Sequence, residues 1–104
     1  MRALLLTGVA ILGLALPVRA QDAEVGKEYD IAIQTEDSNQ YTGPFGQAKV
    51  GSIVFDVPNA KKGEKYHVKV TDIKNNQYTG DKQASCDFNQ VGGAARKGTC
   101  IAAP

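Results

Sequence analysis

Residues 46–73, GQAKVGSIVFDVPNAKKGEKYHVKVTDI, decide the fold. A glycine-opened strand leads to Gly51. The run Ser52-Ile53-Val54-Phe55-Asp56-Val57 then stops at Pro58, which has no N–H to give to a sheet ladder. Two turns follow, Val57-Pro58-Asn59-Ala60 and Lys61-Lys62-Gly63-Glu64. Beyond them Tyr66-His67-Val68-Lys69-Val70 alternates with period two, leaving Lys65, His67, Lys69 and Thr71 on one outer face. Working outward, Tyr29-Asp30-Ile31-Ala32-Ile33 alternates in the same way, with its odd positions toward a core. Asn75-Asn76 supplies a further turn signal, and no long helical periodicity competes with these runs. Short strands at regular spacing predict an all-β barrel or sandwich.

The chain begins differently. Met1-Arg2 gives a positive start, residues 3–18 are almost wholly apolar, and Val18-Arg19-Ala20 places small residues where a signal peptidase reads. This pattern predicts a cleaved secretory signal over residues 1–20 and a secreted or periplasmic address. An uncleaved anchor is the competing reading, but an apolar run of about 16 residues is short for a span that needs about 20, and Pro17 sits where a helix would have to end. No cysteine follows the cleavage point to carry a lipid, and no stable membrane insertion is expected after cleavage. The mature chain, residues 21–104, is one small domain near the lower size for a self-sufficient core. Removing Arg2 and Arg19 from twelve basic residues leaves ten against eleven acidic ones, a net charge of about −1. That balance excludes a globally basic nucleic-acid binder; an electrostatic partner would need a local patch.

Cys86 and Cys100 are the two cysteines. In a small exported domain such a pair is expected to be bridged. Closing a loop of about 15 residues stabilises by roughly 3 kcal/mol in the chain-entropy model. Zinc wants four ligands, and His67 is the one histidine; a redox role lacks a Cys-x-x-Cys. The pair is read as structural, pinning a tail (residues 81–104) that consists of a loop and a closing strand over residues 97–102. Residues 21–80 form the barrel core.

The chain also repeats itself. Asn39-Gln40-Tyr41-Thr42-Gly43 returns unchanged as Asn76-Gln77-Tyr78-Thr79-Gly80, and residues 26–33 are echoed by residues 63–70 at the same offset. Two copies are too few for a solenoid. They describe either two barrel halves with shared turn chemistry, or a pseudo-symmetric pair of sites presenting Tyr41 and Tyr78 alike.

Taken in order, Val25-Gly26-Lys27-Glu28-Tyr29, Gly46-Gln47-Ala48-Lys49-Val50, Val57-Pro58-Asn59-Ala60-Lys61-Lys62-Gly63-Glu64-Lys65, Val68-Lys69-Val70 and Thr71-Asp72-Ile73-Lys74 resemble the TRAM domain. This small β-barrel is related to the OB fold and occurs attached to RNA-modifying enzymes or as stand-alone proteins. The resemblance spans residues 25–74. Pro44-Phe45-Gly46 stands where the family has a Gly-Asp-Gly turn, and Ser52-Ile53 with Phe55-Asp56 replaces its usual aromatic positions. What the resemblance implies is an antiparallel five-stranded OB-like barrel that binds RNA.

No nucleophile with a base can be assembled from the sequence motifs, so a non-catalytic module without cofactor or metal is expected. For single-stranded nucleic acid the candidates are the cations Lys49, Lys61, Lys62, Lys65 and Lys69 and the turn aromatics Tyr41, Phe45 and Tyr78. Alternating lysines are also the ordinary dress of a solvated strand, turn aromatics often fold onto a small core, and His67 reads as a bystander. The competing function is an exported OB-type module for a protein, peptide or sugar, or a protein of envelope stress tolerance.

Overall fold

A computed structural model describes residues 21–93 and 95–101. The signal segment expected over residues 1–20, and residue 102 at the end of the expected closing strand, lie outside the described residues. The described chain is strands and turns, with no helix. Seven strands form one sheet: β1 (Glu28–Ala32), β2 (Thr35–Asn39), β3 (Gly43–Val50), β4 (Ile53–Pro58), β5 (Lys65–Asn75), β6 (Lys82–Val91) and β7 (Lys97–Thr99). Their order is β1-β5-β6-β4-β3-β2, with β7 beside β6. The ladders are antiparallel except for β4 with β6, where Val54 and Phe55 pair in parallel with Gln83 and Ala84.

The expected all-β class and the Cys86–Cys100 disulfide are both present. Strand number and direction are corrected: among the described residues the sheet has seven strands, not five, and is mixed rather than antiparallel. One cause is a bend. β1 and β2 are successive parts of a single extended run interrupted at Ile33-Gln34. At the bend the Ile33 N–H donates to the Glu64 carbonyl, and the Gln34 N–H to the Gln47 carbonyl. Gly46 makes room for it, since a Cβ there would sit 2.5 Å from Ile33 Cγ2 and 2.8 Å from the Ala60 carbonyl oxygen. The second cause is the segment read as a loop from Asp81 onward. Residues 82–91 are instead a ten-residue strand, β6, lying between β5 on one side and β4 and β7 on the other. Its inward set Ala84, Cys86 and Phe88 alternates with polar residues, a pattern weakened by the small size of alanine and by the buried Gln83.

β5 follows its sequence pattern, with Tyr66, Val68 and Val70 buried and Lys65 and Lys69 exposed. In β4 the five residues from Ile53 to Val57 are all buried, as a strand covered on both faces must be. Gly51, at φ 65°, opens the two-residue β3–β4 turn, and Asp22 Oδ1 accepts bonds from the Ser52 N–H and Oγ. The largest fully buried side chains are Tyr66 and Phe55. Tyr66 meets Phe88 edge to face at 5.4 Å. Arg96 closes that end: its Nη1 donates to the Tyr66 hydroxyl at 2.9 Å and its Nη2 to the Pro58 carbonyl at 2.6 Å, with the guanidinium against both rings.

The disulfide spans 14 positions and joins β6 to the residue after β7. The Cys100 N–H donates to the Cys86 carbonyl, and the Ile101 N–H to the Asp56 carbonyl. The tail is thereby fastened to the central strands. A formed disulfide is consistent with an oxidising compartment. Among the described residues no helix is long and apolar enough to cross a membrane.

Candidate functional site

The repeated pentapeptides fold alike. In the β2–β3 turn, Asn39 Oδ1 accepts from the N–H groups of Tyr41 and Thr42 at 2.9 and 2.8 Å and from Thr42 Oγ1 at 3.0 Å. In the β5–β6 turn, Asn76 Oδ1 accepts from the N–H groups of Tyr78 and Thr79 at 2.8 and 3.3 Å. An asparagine side chain that binds the backbone ahead of it replaces a backbone turn with its own amide. Each motif ends on a glycine at positive φ, 75° at Gly43 and 78° at Gly80. Both tyrosines are thereby turned outward, Tyr41 67% and Tyr78 66% exposed.

The two turns share one cleft of about 260 Å³. Tyr41 lines it from one turn, with Tyr78 and Thr79 from the other; Phe45 and Gln47 come from β3, Asp37 from β2 and Asp56 from β4. Phe45 lies within β3 and is 7% exposed, so its ring forms wall and not an exposed platform.

Asp56 is the unusual member. It is a carboxylate in a strand buried on both faces and is itself only 7% exposed. One oxygen is held through a relay: Asn76 Nδ2 donates to Gln83 Oε1 at 3.0 Å, and Gln83 Nε2 donates to Asp56 Oδ2. The second turn is therefore wired to the carboxylate. The other oxygen, Oδ1, is buried without a hydrogen-bond partner. Burial pushes the Asp56 carboxyl above its ordinary value; the Gln47 and Gln83 amides act against this and the charge of Asp37 adds to it. Gln47, directly opposite in the ladder, acts from nearby without a well-formed bond to Oδ1.

The predicted residues therefore divide. Tyr41, Phe45 and Tyr78 meet in the cleft, and none of Lys49, Lys61, Lys62, Lys65 and Lys69 lines it. Lys49 borders a separate hollow with Gln34 and Thr35. Lys61 Nζ lies 3.9 Å from Glu36, whose carboxylate also accepts from the Lys62 N–H at 3.0 Å. Lys65 and Lys69 are outward on β5, as their spacing predicts, but acidic residues flank them. Lys69 pairs across the sheet with Glu28 on one side and Asp87 on the other. Lys65 borders a more open hollow of about 420 Å³ with Asp30 and Val91.

His67, between those lysines, has two partners. Its Nε2 lies 2.6 Å from Glu28 and its Nδ1 2.8 Å from Asp30. Bonds to Glu28 first and Asp30 second raise its pKa, and the same contact lowers that of Glu28. The imidazolium form supplies both donors.

Sequence reasoning missed Asp37, Asp56 and Gln83 as members of the site. The available signal was a charged residue inside the apolar run Ile53-Val54-Phe55-Asp56-Val57, where a carboxylate has no structural use. No family model, no curated protein and no solved structure matches this chain.

Proposed function

We propose that this chain is an exported, non-catalytic binding module of OB type, TRAM-like over residues 25–74, that takes its ligand in the cleft between the two repeated turns. Ladder continuity supports the barrel. The run 28–39 pairs with β5 through its first half and with β3 through its second; β3 pairs with β4, β4 with β6, and β6 with β5. With β1 and β2 counted as one bent run and β7 left aside, the parallel third-to-fifth pairing supports a reading as a small Greek-key barrel of the OB kind. The observation that carries the functional reading is the position of the cleft. It lies on the second and third runs, between the first-to-second and fourth-to-fifth loops, the face through which OB folds hold oligonucleotides and oligosaccharides. Export is supported by the bridged cysteines and by the charged, apolar and small-residue order of residues 1–20.

A screen of small polar and charged fragments by amide chemical shift tests this reading. Saturable shifts are expected to concentrate at residues 37–47 and 76–79. Hits distributed over the rest of the surface, with these turns silent, contradict it.

Single-stranded RNA is a second reading, favoured by the two exposed rings of Tyr41 and Tyr78 on one cleft, the residue type on which bases stack. The two carboxylates in the same cleft weigh against it, because a phosphate backbone is a polyanion. Fluorescence anisotropy with labelled oligouridylate separates the two. RNA binding would fall steeply with salt and weaken in Lys65→Ala and Lys69→Ala; the small-ligand reading expects no saturable RNA binding at physiological salt.

A further inference from the structure

The cleft joins three aromatic side chains to two carboxylates, and among the described residues no lysine or arginine lines it. The uncompensated charge is concentrated at Asp56, whose Oδ1 is buried without a partner while Oδ2 is fixed by Gln83. Asp37 lies close enough to work against ionisation of Asp56. A ligand that fills this space covers the exposed Asp37 and lies over the already buried Asp56, so a positive charge on it offsets carboxylate charge that the cleft leaves uncompensated. A phosphate group would add repulsion, and a neutral sugar would leave the charge where it is. A bare divalent cation wants six or more oxygen ligands; the described residues hold no group of three or more His, Cys, Asp or Glu able to hold a metal, and much of the lining is aromatic. An organic ammonium meets both halves of the cleft, since its alkyl substituents contact ring faces and its charge is attracted by ring quadrupoles and carboxylates alike.

We propose that the cleft binds the substituted ammonium group of an organic amine, with Tyr41, Phe45 and Tyr78 around its alkyl substituents and Asp56 and Asp37 as counter-charges. The inference rests on the cleft being the ligand face. Its volume, about 260 Å³, is below that of drug-sized pockets and suits a single ammonium head group. Among the described residues the titratable groups facing Asp56 are Asp37 from β2, Asp81 from the β5–β6 turn and the phenols of Tyr41 and Tyr78, and no histidine, lysine or arginine lines the cleft or the small cavity adjoining it. Affinity therefore falls on acidification, as Asp56, raised by burial, takes up its proton.

The test compares choline with its uncharged carbon analogue 3,3-dimethylbutan-1-ol, both titrated into the oxidised protein at neutral pH and read from the Tyr41 and Tyr78 amide shifts. Choline is expected to bind about tenfold more tightly or better, the scale of one cation–π contact with a counter-charge. Asp56→Asn is expected to remove that preference. Tyr78→Ala, at a site exposed enough to leave folding intact, is expected to weaken choline by a similar factor. Equal affinity for the uncharged analogue, or choline affinity unchanged in Asp56→Asn, overturns the proposal. If maltotriose or oligouridylate moves the cleft signals and choline does not, the ammonium assignment falls while the ligand face stands. If none of these probes moves them, both fall. A trimethyllysine peptide that binds more tightly than choline places the ammonium on a protein chain; equal or weaker binding places it on a free amine.

Discussion

Asp56 and His67 are both ionisable residues on central ladders, and their environments are opposite. For Asp56, burial raises the folded-state pKa above the unfolded value near 3.8. The folded protein then holds a proton that the unfolded chain has released, so stability falls as pH rises through the window above 3.8 and is unaffected below it. Asp56→Asn is expected to raise the melting temperature at neutral pH, with the difference vanishing below pH 3.8; an equal difference at both pH values would contradict burial as the cause. His67 has the reverse sign. Its carboxylate partners raise its pKa above 6.5, so its contribution is complete below that value and is lost as pH rises through the folded-state pKa. A thermal-melt pH series on wild type and His67→Gln is expected to differ on the acid side and converge on the alkaline side. Gly46 serves packing alone. A methyl group there enters the contact zone of Ile33 and Ala60, and Gly46→Ala is expected to cost about 1–3 kcal/mol in chemical denaturation. A cost near zero would mean that the bend at Ile33 can shift aside.

Among the elements, β6 and the tail fastened to it carry the fold. The disulfide holds the tail against β6, and the Ile101 N–H and the Gln83 side chain connect it to Asp56. Reduction is expected to cost about 3 kcal/mol, or roughly 10–20 °C in melting temperature for a domain of this size. A shift of only a degree or two would mean that the tail contributes little. The alternating strands were legible in the sequence because Tyr66, Val68 and Val70 are large and apolar against charged neighbours, and the turns because glycine, asparagine and proline mark them. β2 was not legible: Thr-Glu-Asp-Ser-Asn has no apolar face, and its pairing with β3 is imposed by the hairpin at Asn39–Gly43. β6 was obscured by Gln83, Ser85 and Asn89, polar residues set among its apolar ones; the Asp56 and Ile101 partners of Gln83 lie 27 and 18 positions away. Arg96 was invisible for the same reason, since its partners Tyr66 and Pro58 are 30 and 38 positions away. The site was half legible. The repeat identified Tyr41 and Tyr78, but their meeting over a buried carboxylate depends on β3 and β4 bringing both turns to one end.

In the whole molecule, a sheet that brings two identical turns together converts a sequence repeat into a single cleft, with a hydrogen-bonded relay from Asn76 through Gln83 to Asp56. The lysines that composition made prominent lie elsewhere, interleaved with carboxylates. The described residues therefore present an aromatic, acidic cleft and a surface of mixed charge. The most direct test is a choline titration of the oxidised wild-type protein, followed separately at the Tyr41 and Tyr78 amide signals. Both turns moving along one isotherm with one midpoint is the predicted result. Movement of one turn alone, or two different midpoints, would contradict a shared site and leave the repeat as turn chemistry only.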